Sequence, residues 1–214
     1  DNVARKAGTM GKEENKEMEF WTQEEFQAFL ECVVDKPISY YAFEILYWTG
    51  IREGELLALT PGDFNFEKKT LRINKSYQRL EGKDVITDPK TPKSNRTIVM
   101  PDFLAVERED FISSLYGIRD DDRIFTISKS YLHHEMDRGA KLAGVKRIRI
   151  HGLRHSHISL LINLGFSALA IGERVGHEAV DITYHYAHLF PTVQTDMAAQ
   201  LETEREALVN VRKE

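Results

Sequence analysis

Apolar residues recur along most of this chain at helical spacing, and the pattern is interrupted by a charged stretch at the start and an alternating block in the middle. Residues 1–19 hold Gly8, Gly11, many charges and few apolar side chains, and read as a flexible tail or interdomain linker. Order is expected from Phe20 and Trp21. Thr22 and Glu25 have capping-box spacing, which predicts a helix to about Val34 that turns Phe26, Phe29, Leu30 and Val33 inward. A second helix is predicted from Ile38 to Thr49, with Phe43, Leu46 and Tyr47 on one face and Gly50 as its stop. A short helix follows over 51–59, with Arg52 at its mouth and Leu56, Leu57 and Leu59 inward.

The period then changes. Residues 70–77 alternate, as do Val85-Ile86 and 96–100, and Gly82, Pro89 and Pro92 mark turns between them. Three short antiparallel strands are predicted. Helical spacing returns over 101–116, 128–142 and 151–164, where Ile158, Leu161, Ile162 and Leu164 lead to a stop at Gly165. Ile124-Phe125 between them reads as a brief extended piece. Ser167 caps another helix that stops at Gly176, a further one begins near Ala179, and a final amphipathic helix is expected over about 192–211. The fold class is α+β, mainly α-helical, with a small three-stranded antiparallel sheet on one side.

Composition narrows this only a little. A chain of 214 residues can bury a sizeable core, and one domain is the default. Net charge is −5, but it is unevenly spread. Lys68 to Arg96 is basic, whereas acids gather at Glu107–Asp110, at Asp120–Asp122 and near the C-terminus, so a basic face on an acidic protein is permitted. A lone Cys32 excludes an internal disulfide. No apolar run approaches the roughly 20 residues of a membrane span, and no signal peptide is visible, so a cytoplasmic location is expected. The chain begins with Asp, as a fragment of a longer protein would.

The candidate chemistry centres on His151-Gly-Leu-Arg-His-Ser-His157 at a helix start. His151, Arg154 and His155 share a face there, and free backbone N–H groups and the helix dipole favour an anion. Solvated polar residues at a helix N-terminus are the plain alternative. Arg52, Lys90, His177 after a glycine, and Tyr186 lie elsewhere in the chain. Two arginine forks could neutralise the non-bridging oxygens of one phosphate, and these gain charge during nucleophilic attack. A tyrosine could attack, and a Lys or His could protonate the leaving oxygen. The clustered carboxylates of a Mg²⁺-dependent nuclease are missing. The pattern points to metal-free phosphoryl transfer through a phosphotyrosine. Spacing also allows a zinc reading of His151 and His155 with His185 and His188, though without cysteine or nearby carboxylates.

Five blocks in order resemble the catalytic domain of the tyrosine recombinases, in particular the integrases of phages and conjugative transposons. They are Thr49-Gly-Ile-Arg52-Glu-Gly-Glu55-Leu56, Lys90-Thr-Pro-Lys-Ser94-Asn-Arg96, His151-Gly-Leu-Arg154-His155, Gly176-His177 and Tyr186-Ala-His188-Leu. The resemblance covers residue 20 to the end, so 20–214 is expected to be the catalytic domain, without the core-binding and arm-binding domains that precede it in the family.

The resemblance implies roles. Arg52 and Arg154 clamp the scissile phosphate, and Glu55 supports them. Lys90 is the general acid for the 5′-hydroxyl, with Lys93 as its competitor. His151 is the acid/base partner of the tyrosine, and His177 hydrogen-bonds the phosphate. Tyr186 is the nucleophile, with Tyr184 the competing phenol, and His155 supports the site from behind. His157, Tyr77, Trp21 and Trp48 are packing or surface groups.

No metal or cofactor is implied. The implied partner is a pair of double-stranded DNA recombination sites, synapsed by a homotetramer, with a monomer as the DNA-free alternative. A chromosome dimer-resolving recombinase of the Xer kind, a type IB topoisomerase and a non-catalytic DNA-binding module are the competing functions.

Overall fold

The computed structural model describes residues 18–89, 94–177 and 179–189, with residues 198, 201–203 and 205 beyond them. Most of the predicted tail, Lys90, Lys93 and most of the predicted C-terminal helix therefore lie outside the described residues.

Helix α1 (Gln23–Glu31) begins at the expected capping box, with Thr22 and Glu25 each hydrogen-bonded to the other's backbone N–H. Helix α2 (Pro37–Thr49) ends on Gly50, whose φ of 66° is the left-handed conformation that favours glycine. Helix α3 (Glu53–Ala58) follows at once. Helices α4 (Asp102–Ser114) and α5 (Lys129–Ala143) then cover the body. Helix α6 (Ile150–Asn163) leads into α7 (Ala168–Val175) and α8 (Ala179–Tyr186).

The β region differs from expectation in its pairing. A three-stranded antiparallel sheet is present, in the order β1 (Phe64–Asn65), β2 (Thr70–Ile73) and β5 (Arg96–Val99). The predicted strand over 70–77 divides after Ile73. Its second half is β3 (Ser76–Leu80), which pairs with β4 (Lys83–Thr87) in a separate hairpin. The alternation hid this break, because Leu71, Ile73 and Tyr77 are all buried and keep one parity across it. Ile124 and Phe125 are buried but form no strand; Ile124 N–H donates to the Leu59 carbonyl instead.

Two apolar clusters hold the domain. The larger joins α1 to α5 and the sheet, with Phe26 stacked on Tyr47 at 3.7 Å between ring centres and Phe29 set edge-on to Phe43. Trp21 is buried in it, Trp48 half-buried. The smaller packs α6, α7 and α8 together through Ile158, Ile162, Ile171, Val175, Ile182 and Tyr186. The candidate site residues sit where the two clusters meet. No described helix is long and apolar enough to cross a membrane.

Candidate active site

Arg154 lies at the junction of the two clusters and is 1% exposed. Its Nη1 donates to the Gly50 carbonyl (2.6 Å) and Nη2 to the Val175 carbonyl (2.5 Å), so it ties the end of α2 to the end of α7. Both carbonyls are left over at helix C-termini, which is why a buried cation suits them. Of the five N–H groups of the guanidinium, Nε has no partner among the described residues. Burial lowers the pKa to about 9, helped by the charges of Arg52 and Arg96, so Arg154 remains cationic at neutral pH.

Arg52 and Glu55 come from the mouth of α3. The Glu55 carboxylate accepts from the Arg52 backbone N–H (2.9 Å) and from Arg52 Nη1 (2.8 Å). The same carboxylate takes a fork from Arg96 on β5, Nη1 to Oε1 at 3.2 Å and Nη2 to Oε2 at 2.9 Å. Burial works to raise Glu55, but the hydrogen bond and charge of Arg96, then Arg52, hold it below the ordinary carboxylate value. Arg52 keeps about a third of its side chain exposed, at 35%, whereas Glu55 and Arg96 are buried.

Arg52 and Glu55 face a cleft of about 940 Å³ between the helical body and the β3–β4 hairpin. Arg52, His151 and His177 line it, and so do Lys75 and Lys129. Glu53, Glu55, Asp88 and Asp181 line it as well, so charges of both signs face the space. His177 is brought down to about 4 by burial and then by Arg154 and Arg52. His151, at the first turn of α6 with its ring against His155, is lowered by the same causes in the same order. Both imidazoles are thus neutral at pH 7. Pro89 and Ser94 also line the cleft, so the chain runs along it on both sides of the segment that holds Lys90.

Tyr186 and Tyr184 separate sharply. Tyr186 is 3% exposed and packs among the isoleucines of the smaller cluster, whereas Tyr184 is 80% exposed. The Tyr186 hydroxyl is hydrogen-bonded to Nδ1 of His155. Burial raises its pKa, against the pull of Arg154, so the phenol is neutral and donates. His155 is lowered to about 4, by burial first and then by His151 and Arg154. The rings of His151 and His155 stand edge to face, 4.8 Å apart.

The structure thus brings Arg52, Glu55, His151, Arg154, His155, His177 and Tyr186 together. Among the described residues no three His, Cys, Asp or Glu side chains form a group that could hold a metal ion, and the His151, His155, His185 and His188 set forms none.

Sequence reasoning missed two members of the surrounding frame. Arg96 has a place in the basic segment and at the end of the Lys90–Arg96 block but no role of its own in the sequence, although it shares parity with the inward-facing Ile98 on β5. Arg174 also escaped notice: its Nε donates to Nε2 of the buried His157 (3.0 Å), and Nη1 and Nη2 donate to the carbonyls of Val99 and Trp48. His157 is therefore a buried partner of Arg174, not a surface group.

The fold defines a class, the catalytic domains of the tyrosine recombinases. The fold is shared with the Tn1549 transposon integrase solved with circular intermediate DNA (TM-score 0.72, 22% identity, 91% of this chain and 68% of that one). It is shared also with the catalytic domain of bacteriophage HP1 integrase (TM-score 0.61, 20% identity, 86% and 95%). The phage integrase family matches residues 19–192, and the chain belongs to that family. The ICEBs1 integrase of Bacillus subtilis (strain 168) is 32% identical over 217 residues, covering 94% of this chain and 58% of the relative. The integrase of Staphylococcus phage L54a is 30% identical over 179 residues, covering 75% and 51%. The chain thus spans a little over half the length of these relatives.

Proposed function

We propose that this chain is the catalytic domain of a mobile-element integrase, a site-specific recombinase that cuts and rejoins DNA through a 3′-phosphotyrosine. The observation that carries the reading is the meeting of Arg52, His151 and His177 on one cleft, with the Arg154 guanidinium buried behind them and a buried phenol on the same helix bundle. In this reading Arg52 and Arg154 hold the non-bridging oxygens of the scissile phosphate, where charge grows during attack. Tyr186 Oη forms a bond to phosphorus, the P–O5′ bond breaks, and the phenolic proton passes to neutral His151. Lys90 gives a proton to the departing 5′-oxygen, a role supported by Pro89 and Ser94 lining the cleft. His177 hydrogen-bonds the phosphate. Rejoining runs the same steps backwards, so the phosphodiester energy is kept.

The relatives' greater length supports further DNA-binding domains in the whole protein, with residues 1–19 as linker and 20–214 as catalytic domain. The remaining inferences are synapsis of two DNA sites by a homotetramer, action in the bacterial cytoplasm, and chemistry without a cofactor.

The test is covalent trapping on a nicked duplex that spans the attachment junction of the element encoding the chain. A protein–DNA adduct is expected to form and to disappear in Tyr186→Phe but not in Tyr184→Phe. An adduct that survives Tyr186→Phe, or none with the unaltered chain, overturns the reading. Relaxation of supercoiled plasmid lacking the junction would favour a type IB topoisomerase instead.

A further inference from the structure

The guanidinium of Arg96 touches three separate segments around the cleft, and the roles proposed above do not include it. Nη1 and Nη2 fork onto Glu55, whose two oxygens also hold the backbone and side chain of Arg52. Nη1 donates as well to the Ser94 carbonyl (3.1 Å), at the end of the segment that holds Lys90. Nε donates to the Arg174 carbonyl (2.9 Å), in the last turn of α7 just before Gly176 and His177. The side chain is 6% exposed, and Arg96 does not line the cleft.

We infer that Arg96 is a positioning residue for strand cleavage: through Glu55 it sets the fork of Arg52, while its contacts with the Ser94 and Arg174 carbonyls hold Arg96 itself in place. Arg52 has a long side chain that reaches a solvent-filled cleft. Left alone it would sample many rotamers, and a clamp that must meet a phosphate bidentately loses by that. Glu55 restrains it, yet a buried carboxylate restrained from one side only is free to swing or to protonate. The fork from Arg96 closes off both options. Lysine cannot make that fork, because it offers a point charge in place of paired donors. The donors of Arg96 are taken up by Glu55 and the two carbonyls, so its effect passes through Arg52.

This rests on the reading of Arg52 as a phosphate clamp, and the experiment separates the two. Single-turnover adduct formation is followed on the nicked junction duplex at saturating protein for the unaltered chain, Arg96→Ala, Arg96→Lys, Arg52→Ala and the Arg52→Ala/Arg96→Ala pair. Thermal melts accompany each, and Arg96→Lys, which retains the charge, serves as the folded comparison if Arg96→Ala melts early. Arg96→Ala and Arg96→Lys are expected to slow adduct formation about 10²-fold, the scale of a clamp misplaced by an ångström, with little change in duplex affinity. The paired variant is expected to cut within about twofold of Arg52→Ala, because the second change removes a support for a group already gone. Arg96→Lys cutting at the unaltered rate overturns the inference. So does a paired variant whose loss is the product of the two single losses. Failure of the unaltered chain to form any adduct overturns the clamp reading and this inference with it.

Discussion

The hydroxyl of Tyr186 is hydrogen-bonded to Nδ1 of His155, one helical turn along α6 from His151. The candidate nucleophile is thereby held behind the cleft in a neutral, buried state. A phenol buried without a partner costs about 1–3 kcal/mol. His155→Ala is therefore expected to lower stability by about that amount in chemical denaturation. His155→Ala matching the unaltered chain would mean that the bond contributes nothing.

Acid should loosen the fold through its histidines. His155, His157 and His177 have folded values near 4, 3 and 4, below the ordinary 6.5, chiefly through burial. The unfolded chain then takes up protons first. The stability these groups contribute is complete above about pH 6.5 and is lost as pH falls towards their folded values. Glu44, pushed up to about 7 by burial, works in the opposite sense. Melting temperatures measured between pH 7.5 and 5 isolate one group if His157 is replaced. His157→Gln is expected to flatten the decline, and an unchanged slope would contradict the assignment.

Gly50 couples backbone conformation to the site. Its carbonyl receives Arg154, its φ is 66°, and a Cβ there would fall 2.6 Å from Cδ2 of His157. Gly50→Ala is expected to cost about 2–5 kcal/mol, the sum of left-handed strain and overpacking. Gly144→Ala carries similar strain at φ 67° but meets open space, and should cost only about 1–2 kcal/mol. Denaturant titrations of the two variants measure the difference, and equal losses would exclude the close approach to His157.

Local signals in the sequence were legible where one residue decides a local structure. Thr22 with Glu25, and Gly50 and Gly176 after apolar runs, mark helix ends because caps are local chemistry. The cleft residues were legible through five short blocks, each weak alone. What escaped depends on contacts between distant segments. The break after Ile73 is silent in an alternating pattern. The inward turn of Arg96 becomes visible only once β5 pairs with β2, which sets Arg96 opposite Ile73. His157 and Arg174 find each other across 17 residues of sequence and one helix boundary, and no spacing rule links them.

The most direct measurement is the identity of the residue that carries the DNA. Adduct trapped on the nicked junction duplex is digested with protease and nuclease, and the modified peptide is sequenced by mass spectrometry. A nucleotide 3′-phosphate on Tyr186, with Tyr184 in the same peptide unmodified, is the predicted result. The phosphate on Tyr184, or on any residue other than Tyr186, would contradict the account.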